Sequence, residues 1–171
     1  LVGRPTRHIL GACSGPGIHV LPRERRQCLR LVGIGAAYAL GEVLLGLDRF
    51  AEWLGEAPDS PVVRYTPAGA DVDAVFDAKV IYPGGYDEID VTRVPAVFRP
   101  RSGPLHLTDW EKVFAAGPTR WNDVDIFAER GLSRDGVVVV VRPDQYVAGV
   151  FPLEATAELA AFFDGWLTPQ V

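Results

Sequence analysis

The chain has 171 residues, of which 48% are hydrophobic and 23% charged, with a formal net charge of −5. That length fits one domain, able to bury roughly 70% of its unfolded surface without a disulfide or metal staple. The acidic balance argues against a nucleic-acid surface, which needs a basic face to neutralise phosphate.

In chain order, Leu1 to Gln27 is rich in Gly, Pro and Arg and has little periodicity, so it reads as an extended lead-in. Its cluster Arg23-Glu24-Arg25-Arg26 is short and interrupted, as in a solvated loop. Cys28 to Ile34 is a strand candidate bounded by glycine. Leu47, Phe50, Ala51 and Leu54 share one helical face and predict a helix from about Val43 to Gly55. Ala57 to Pro67 is punctuated by proline and reads as a loop with a short extended piece at Val62 to Tyr65. Val75 to Tyr82 alternates: Phe76, Ala78, Val80 and Tyr82 face one way, Asp77 and Lys79 the other, as a half-buried strand requires. Pro83-Gly84-Gly85 ends it.

Thr108-Asp109-Trp110-Glu111 has capping-box spacing and predicts a short helix that Gly117-Pro118 stops. Asp123 to Arg130 predicts another, with Gly131 just past its end. Five valines, Val137 to Val141, then form a run suited to a buried strand. Arg142-Pro143-Asp144-Gln145 has type I turn composition, and Tyr146 to Val150 returns as a second strand. Leu159, Phe162, Phe163, Trp166 and Leu167 recur at helical spacing and close the chain with an amphipathic helix.

Composition narrows compartment and origin. No apolar run reaches the roughly 18 residues of a membrane span, since Leu31 to Leu47 carries Gly33, Gly35, Gly41, Gly46 and Glu42. No secretory signal pattern is visible, so a cytoplasmic location is the default expectation. Cys13 and Cys28 are separated by fourteen residues with no C-x-x-C pair, so reduced thiols are expected and thioredoxin-type redox chemistry is not. The absence of methionine, even at position 1, points to a fragment or trimmed product. Two lysines against fifteen arginines point to a GC-rich genome.

Four patterns invite a chemical reading, and each has a plainer one. Leu31-Val32-Gly33-Ile34-Gly35 places two glycines of a dinucleotide fingerprint after a strand, but Tyr38 stands where Gly or Ala must allow close helix packing. Gly11-Ala12-Cys13-Ser14-Gly15 has nucleophile-elbow spacing, but Pro16 and Gly17 oppose the helix that must follow. His8, Cys13, His19 and Cys28, spaced 5, 6 and 9 apart, match no paired zinc-ligand pattern, and His106 is remote. Asp71, Asp73 and Asp77, with Asp87, Glu88 and Asp90, lack EF-hand spacing and read as solvated acids. No catalytic, cofactor-binding or metal-ligating residue is assigned. Arg142 and Asp144 suit either turn chemistry or a hairpin tip touching a neighbouring domain. Trp110, Trp121 and Trp166 suit the core or a dimer interface.

The segment Val139-Val140-Val141-Arg142-Pro143-Asp144-Gln145-Tyr146-Val147, with Leu153 and Phe162-Phe163, resembles the closing hairpin and last helix of the C-terminal domain of phenol hydroxylase and related FAD-dependent aromatic monooxygenases. Phe76 to Ile81 is similar to that domain's middle strand. Asp125-Ile126-Phe127 with Arg130-Gly131 is similar to the stretch before its hairpin. The likeness runs from about Val62 to Leu167 and is weak before Gly41. It implies an α/β, thioredoxin-like fold over residues 1–171: a central mixed sheet flanked by helices, closed by a β-hairpin and helix. It implies a non-catalytic dimerisation or docking domain, a homodimer or a partner of flavin and substrate domains. FAD and NADPH would then be held elsewhere in an oxidoreductase that hydroxylates aromatic rings. Two other readings stand beside it: a stand-alone, redox-silent thioredoxin-like binding module, and a small enzyme using Cys13. Neither nucleic acid nor membrane is an expected partner.

Overall fold

The computed structural model describes residues 29–34, 42–117 and 124–169. The lead-in, both cysteines, His8, His19, Gly35, Tyr38 and Trp121 lie outside these residues.

A five-stranded mixed sheet organises the fold. Strand β1 (Leu29–Ile34) is central and pairs in parallel with β2 (Phe76–Tyr82), which pairs in parallel with the short β5 (Val113–Ala115). On its other side β1 pairs antiparallel with β6 (Val137–Val141), which forms a hairpin with β7 (Val147–Pro152). The order is β5-β2-β1-β6-β7, so β5 and β7 are the two edges. A separate two-stranded ribbon joins β3 (Arg101–Ser102) to β4 (Leu107–Thr108).

Parallel pairing of β1 and β2 demands a crossover, and helix α1 (Glu42–Glu56) supplies it. Its Leu47, Phe50, Ala51 and Leu54 are buried on the sheet, as their spacing predicts. On that face the buried half of β2 (Phe76, Ala78, Val80, Tyr82) meets Val138 and Val140 of β6. Helix α4 (Thr156–Asp164) completes this layer with Leu159 and Phe163. Phe163 lies edge-on to Phe76, with ring centres 5.1 Å apart.

The opposite face is thinner. Helix α3 (Ile126–Arg130) packs Phe127 against Val137 and Val139. Asp125 caps it, accepting from the amides of Phe127 at 3.0 Å and Ala128 at 3.3 Å. Gly131 ends it at φ 62°, and Leu132 N–H donates back to the Phe127 carbonyl at 2.8 Å. That is the left-handed stop expected of a glycine.

Two local expectations are corrected. Residues 62–65 are not extended: Pro61–Tyr65 is a short helix, α2. Pro61 sits at the first turn, where a missing N–H costs nothing, and Val62 and Tyr65 turn to the core three residues apart. The Ser60 hydroxyl donates to the Leu54 carbonyl and ties α2 to α1. The Tyr65 hydroxyl and the Arg64 guanidinium both bind Asp164, latching α2 to α4. Burial, then the bond to Asp164, pushes the Tyr65 hydroxyl up to about 12.

The second correction concerns residues 108–117. No helix opens at Thr108; Thr108 ends β4 and Val113 begins β5. Asp109 accepts from the Glu111 amide at 2.8 Å, which makes a tight turn rather than a cap. The competing attraction is β2: Val80 N–H donates to the Lys112 carbonyl at 2.9 Å, and Ala116 N–H to the Tyr82 carbonyl at 2.7 Å.

Candidate interaction surfaces

The acids before and inside β2 are not solvated singly. Lys112, just before β5, is 4% exposed and projects its ammonium among carboxylates. It lies 2.8 Å from Asp77, 3.1 Å from Asp73 and 3.6 Å from Asp109. Lys79 approaches Asp77 from the other side at 3.1 Å. Burial alone would raise the Asp77 carboxyl, but the hydrogen bonds and charges of Lys112 and Lys79 outweigh it and hold it below the usual carboxylate range. Burial alone would likewise lower Lys112, yet Asp77 and Asp73 raise it. Ser102 Oγ donates to Asp73 at 3.0 Å and Gly103 N–H to Asp71 at 3.2 Å, so the β3–β4 ribbon is anchored to the same cluster. The cluster is an ionic bolt that fixes β5 and the ribbon to β2.

Outside this bolt lies a shallow apolar groove of about 330 Å³, lined by Tyr86, Ile89, Val91, Trp110, Val113 and Phe114. Tyr86 and Trp110 are largely open to solvent. The Arg99 guanidinium stacks 5.7 Å from the Trp110 ring centre, and the Lys79 ammonium 5.7 Å from that of Phe114. Gly117 then passes so close to the chain after β2 that a Cβ there would stand 2.6 Å from backbone atoms of Gly84 and Gly85.

The other edge differs in kind. The hairpin tip is closed by turn chemistry: Gln145 N–H donates to the Arg142 carbonyl at 2.9 Å, and Arg142 pairs with Asp144 at 2.6 Å. Gln145 takes φ 70°, the left-handed position that follows a type I turn in a three-residue hairpin loop. Strand β7 starts at Val147, one residue after the predicted Tyr146, whose carbonyl still accepts from the Arg142 N–H at 2.9 Å. A register irregularity sets Val147 opposite Val141 and Val150 opposite Val139. Val147 is 61% and Val150 53% exposed, because α3 covers Val137 and Val139 but nothing from β7 joins that cluster. On the reverse face Phe151 packs edge-on to Phe162, with ring centres 5.5 Å apart, and Phe162 in turn meets Trp166 at 5.9 Å.

Of the patterns with chemical promise, the Cys13 elbow and the His8, Cys13, His19 and Cys28 set lie outside the described residues. Gly33 is inside β1, paired with Val80 on one side and Val138 on the other, so it cannot form the phosphate-binding turn of a dinucleotide fingerprint. Asp90 caps a 3-10 turn by accepting from Thr92, and His106 sits in the β3–β4 turn at φ 48°. Among the described residues no group of three His, Cys, Asp or Glu is placed to hold a metal ion. None of their helices is long and apolar enough to cross a membrane. Two features escaped sequence reasoning: the burial of Lys112, and the groove that gathers Tyr86 and Phe114 from separate segments.

The chain is 43% identical over 125 residues to 3-hydroxybenzoate 4-monooxygenase of Comamonas testosteroni, covering 72% of this chain and 19% of that protein. It is 31% identical over 112 residues to the FAD-dependent monooxygenase terD of Aspergillus terreus, covering 63% of this chain and 18% of that protein. The chain thus spans about a fifth of the length of the curated relatives it matches. Residues 34–171 match the family model for the phenol hydroxylase C-terminal dimerisation domain, and the chain belongs to that family.

Proposed function

We propose that this chain is the non-catalytic dimerisation and docking domain of an FAD- and NADPH-dependent aromatic monooxygenase. The observation that carries the reading is the family match over residues 34–171. A thioredoxin-like fold is part of the proposal, with residues 1–171 as one domain. It is supported by a crossover β1-α1-β2, an antiparallel hairpin added beside β1, and a closing helix. The whole enzyme would insert one oxygen atom of O₂ into a phenolic ring and reduce the other to water with NADPH. A hydroxybenzoate is the substrate class that the bacterial relative's name supports. FAD bound in other domains would supply the oxygen activation, and no residue of this chain is assigned to it.

The test is direct. The isolated chain purifies colourless and does not oxidise NADPH in the presence of phenols. Stoichiometric flavin absorbance on the pure chain contradicts the reading.

A further inference from the structure

We propose that two copies of this chain pair through the β7 edge, strand against strand across a two-fold axis, extending the five-stranded sheet into one of ten. The inference rests on the dimerisation reading and assigns it a surface.

Four observations converge on this edge. First, β7 is six residues long, about 20 Å of strand at ~3.4 Å per residue, and its outer side pairs with no strand of the described residues. Exposed edges of that length are normally blunted by charge, proline, a β-bulge or a covering helix or loop. From Val147 to Leu153 there is no charged residue, the proline stands at the last strand position, and the bulge is confined to the start of the strand, leaving Gly149 to Pro152 in regular register with β6.

Second, both faces beside the edge are apolar. Val147 and Val150 are open on one, and Phe151, Phe162 and Trp166 line the other, with exposed Tyr146 at the end. Strand pairing therefore brings flanking apolar area with it, as a stable interface of roughly 800 Å² per partner requires. Third, the chain carries a net charge of −5, so two copies repel except where charge is absent. The nearest charges at the tip, Arg142 and Asp144, neutralise each other. Fourth, antiparallel pairing of a strand with its own copy is self-complementary, the property a two-fold interface needs. A second copy fits this surface better than an unlike partner, because the edge supplies strand and side chains to itself.

The experiment is sedimentation of the 171-residue chain over a wide concentration range, with Val147→Lys/Val150→Lys as the test variant. Phe114→Lys on the opposite edge is the control. The expected result is a wild-type dimer, an unchanged dimer for F114K, and at least a tenfold weaker dimer for the double variant with its circular dichroism intact. Should the double variant misfold, the single V150K variant carries the same expectation. A double variant that dimerises as tightly as wild type overturns the β7 assignment and leaves the dimerisation reading standing. A wild-type chain that stays monomeric throughout overturns both, and leaves the apolar edge to another domain of the enzyme.

Discussion

The two edges of the sheet solve the same problem in opposite ways. Strand β5 is three residues long, and buried ions hold it to β2. Lys112 and Lys79 crowd its inner side, and Gly117 presses the chain against Gly84 as it leaves. Strand β7 is twice as long, uncharged, and held by its hairpin partner and the aromatic side chains of α4. A three-residue edge offers little to an added strand; a six-residue edge built largely of valine, alanine and glycine invites it. One chain thus carries a short edge pinned from within and a long, uncharged one.

The comparison can be broken most severely at Lys112. Lys112→Ala removes the buried ammonium shared by Asp73, Asp77 and Asp109, and the loss of that charge partner should destabilise the fold by about 3 kcal/mol. Chemical denaturation measures this, and dimerisation of the remaining folded chain should persist. A loss below about 1 kcal/mol would mean that the ions are decoration on a strand held by backbone pairing alone.

Steric pressure on the same edge comes next. Gly117→Ala forces a Cβ against the Gly84 backbone, and with no flexible side chain to yield, about 1–3 kcal/mol should be lost. Equal stability of this variant in the same denaturation experiment would show that the segment after β5 shifts freely.

Acid should separate the edges without mutation. The Asp77 carboxyl is depressed in the fold, so its contribution is present above its ordinary value of about 3.9 and lost as pH falls through the lower folded value. Lys112 is raised, so its contribution is present below about 10.4 and lost only as pH climbs through its higher folded value. Neutral pH thus lies on a plateau for both. Below about pH 4 the opening free energy of the Val113–Ala115 amides should fall, while that of the β6–β7 hairpin should not. Parallel loss at both edges would contradict the ionic account of β5.

The smallest effect belongs to the hairpin tip. Gln145 occupies a left-handed position that costs a residue with a side chain about 1 kcal/mol. Gln145→Gly should therefore stabilise the chain by about 0.5–1 kcal/mol, read as a rise in melting temperature. A fall would mean that the Gln145 side chain contributes something the turn geometry does not reveal.

The same contrast explains what the sequence discloses. The hairpin, α3 and α4 are governed by rules acting within ten residues: a Pro-Asp turn, an Asp cap, a glycine stop, an aromatic stripe. Each is legible, and so is the alternation of β2. The stretch from Tyr86 to Ala115 is governed by contacts with β2 and α1, remote in sequence. Thr108 and Glu111 carry helix-start spacing, but the Lys112 carbonyl and Val113 to Ala115 are claimed by β2. Nothing local marks Lys112 for burial, because its carboxylate partners Asp73 and Asp77 arrive from more than thirty residues away. Proline at position 61 fits a loop and a helix start equally, and only the burial of Val62 and Tyr65 decides between them.

The most direct measurement is amide hydrogen exchange of the wild-type chain at low and high concentration. The account predicts that Val147–Pro152 gains protection on concentrating the chain while Val113–Ala115 does not. Protection gained at β5, or at neither edge, would contradict it.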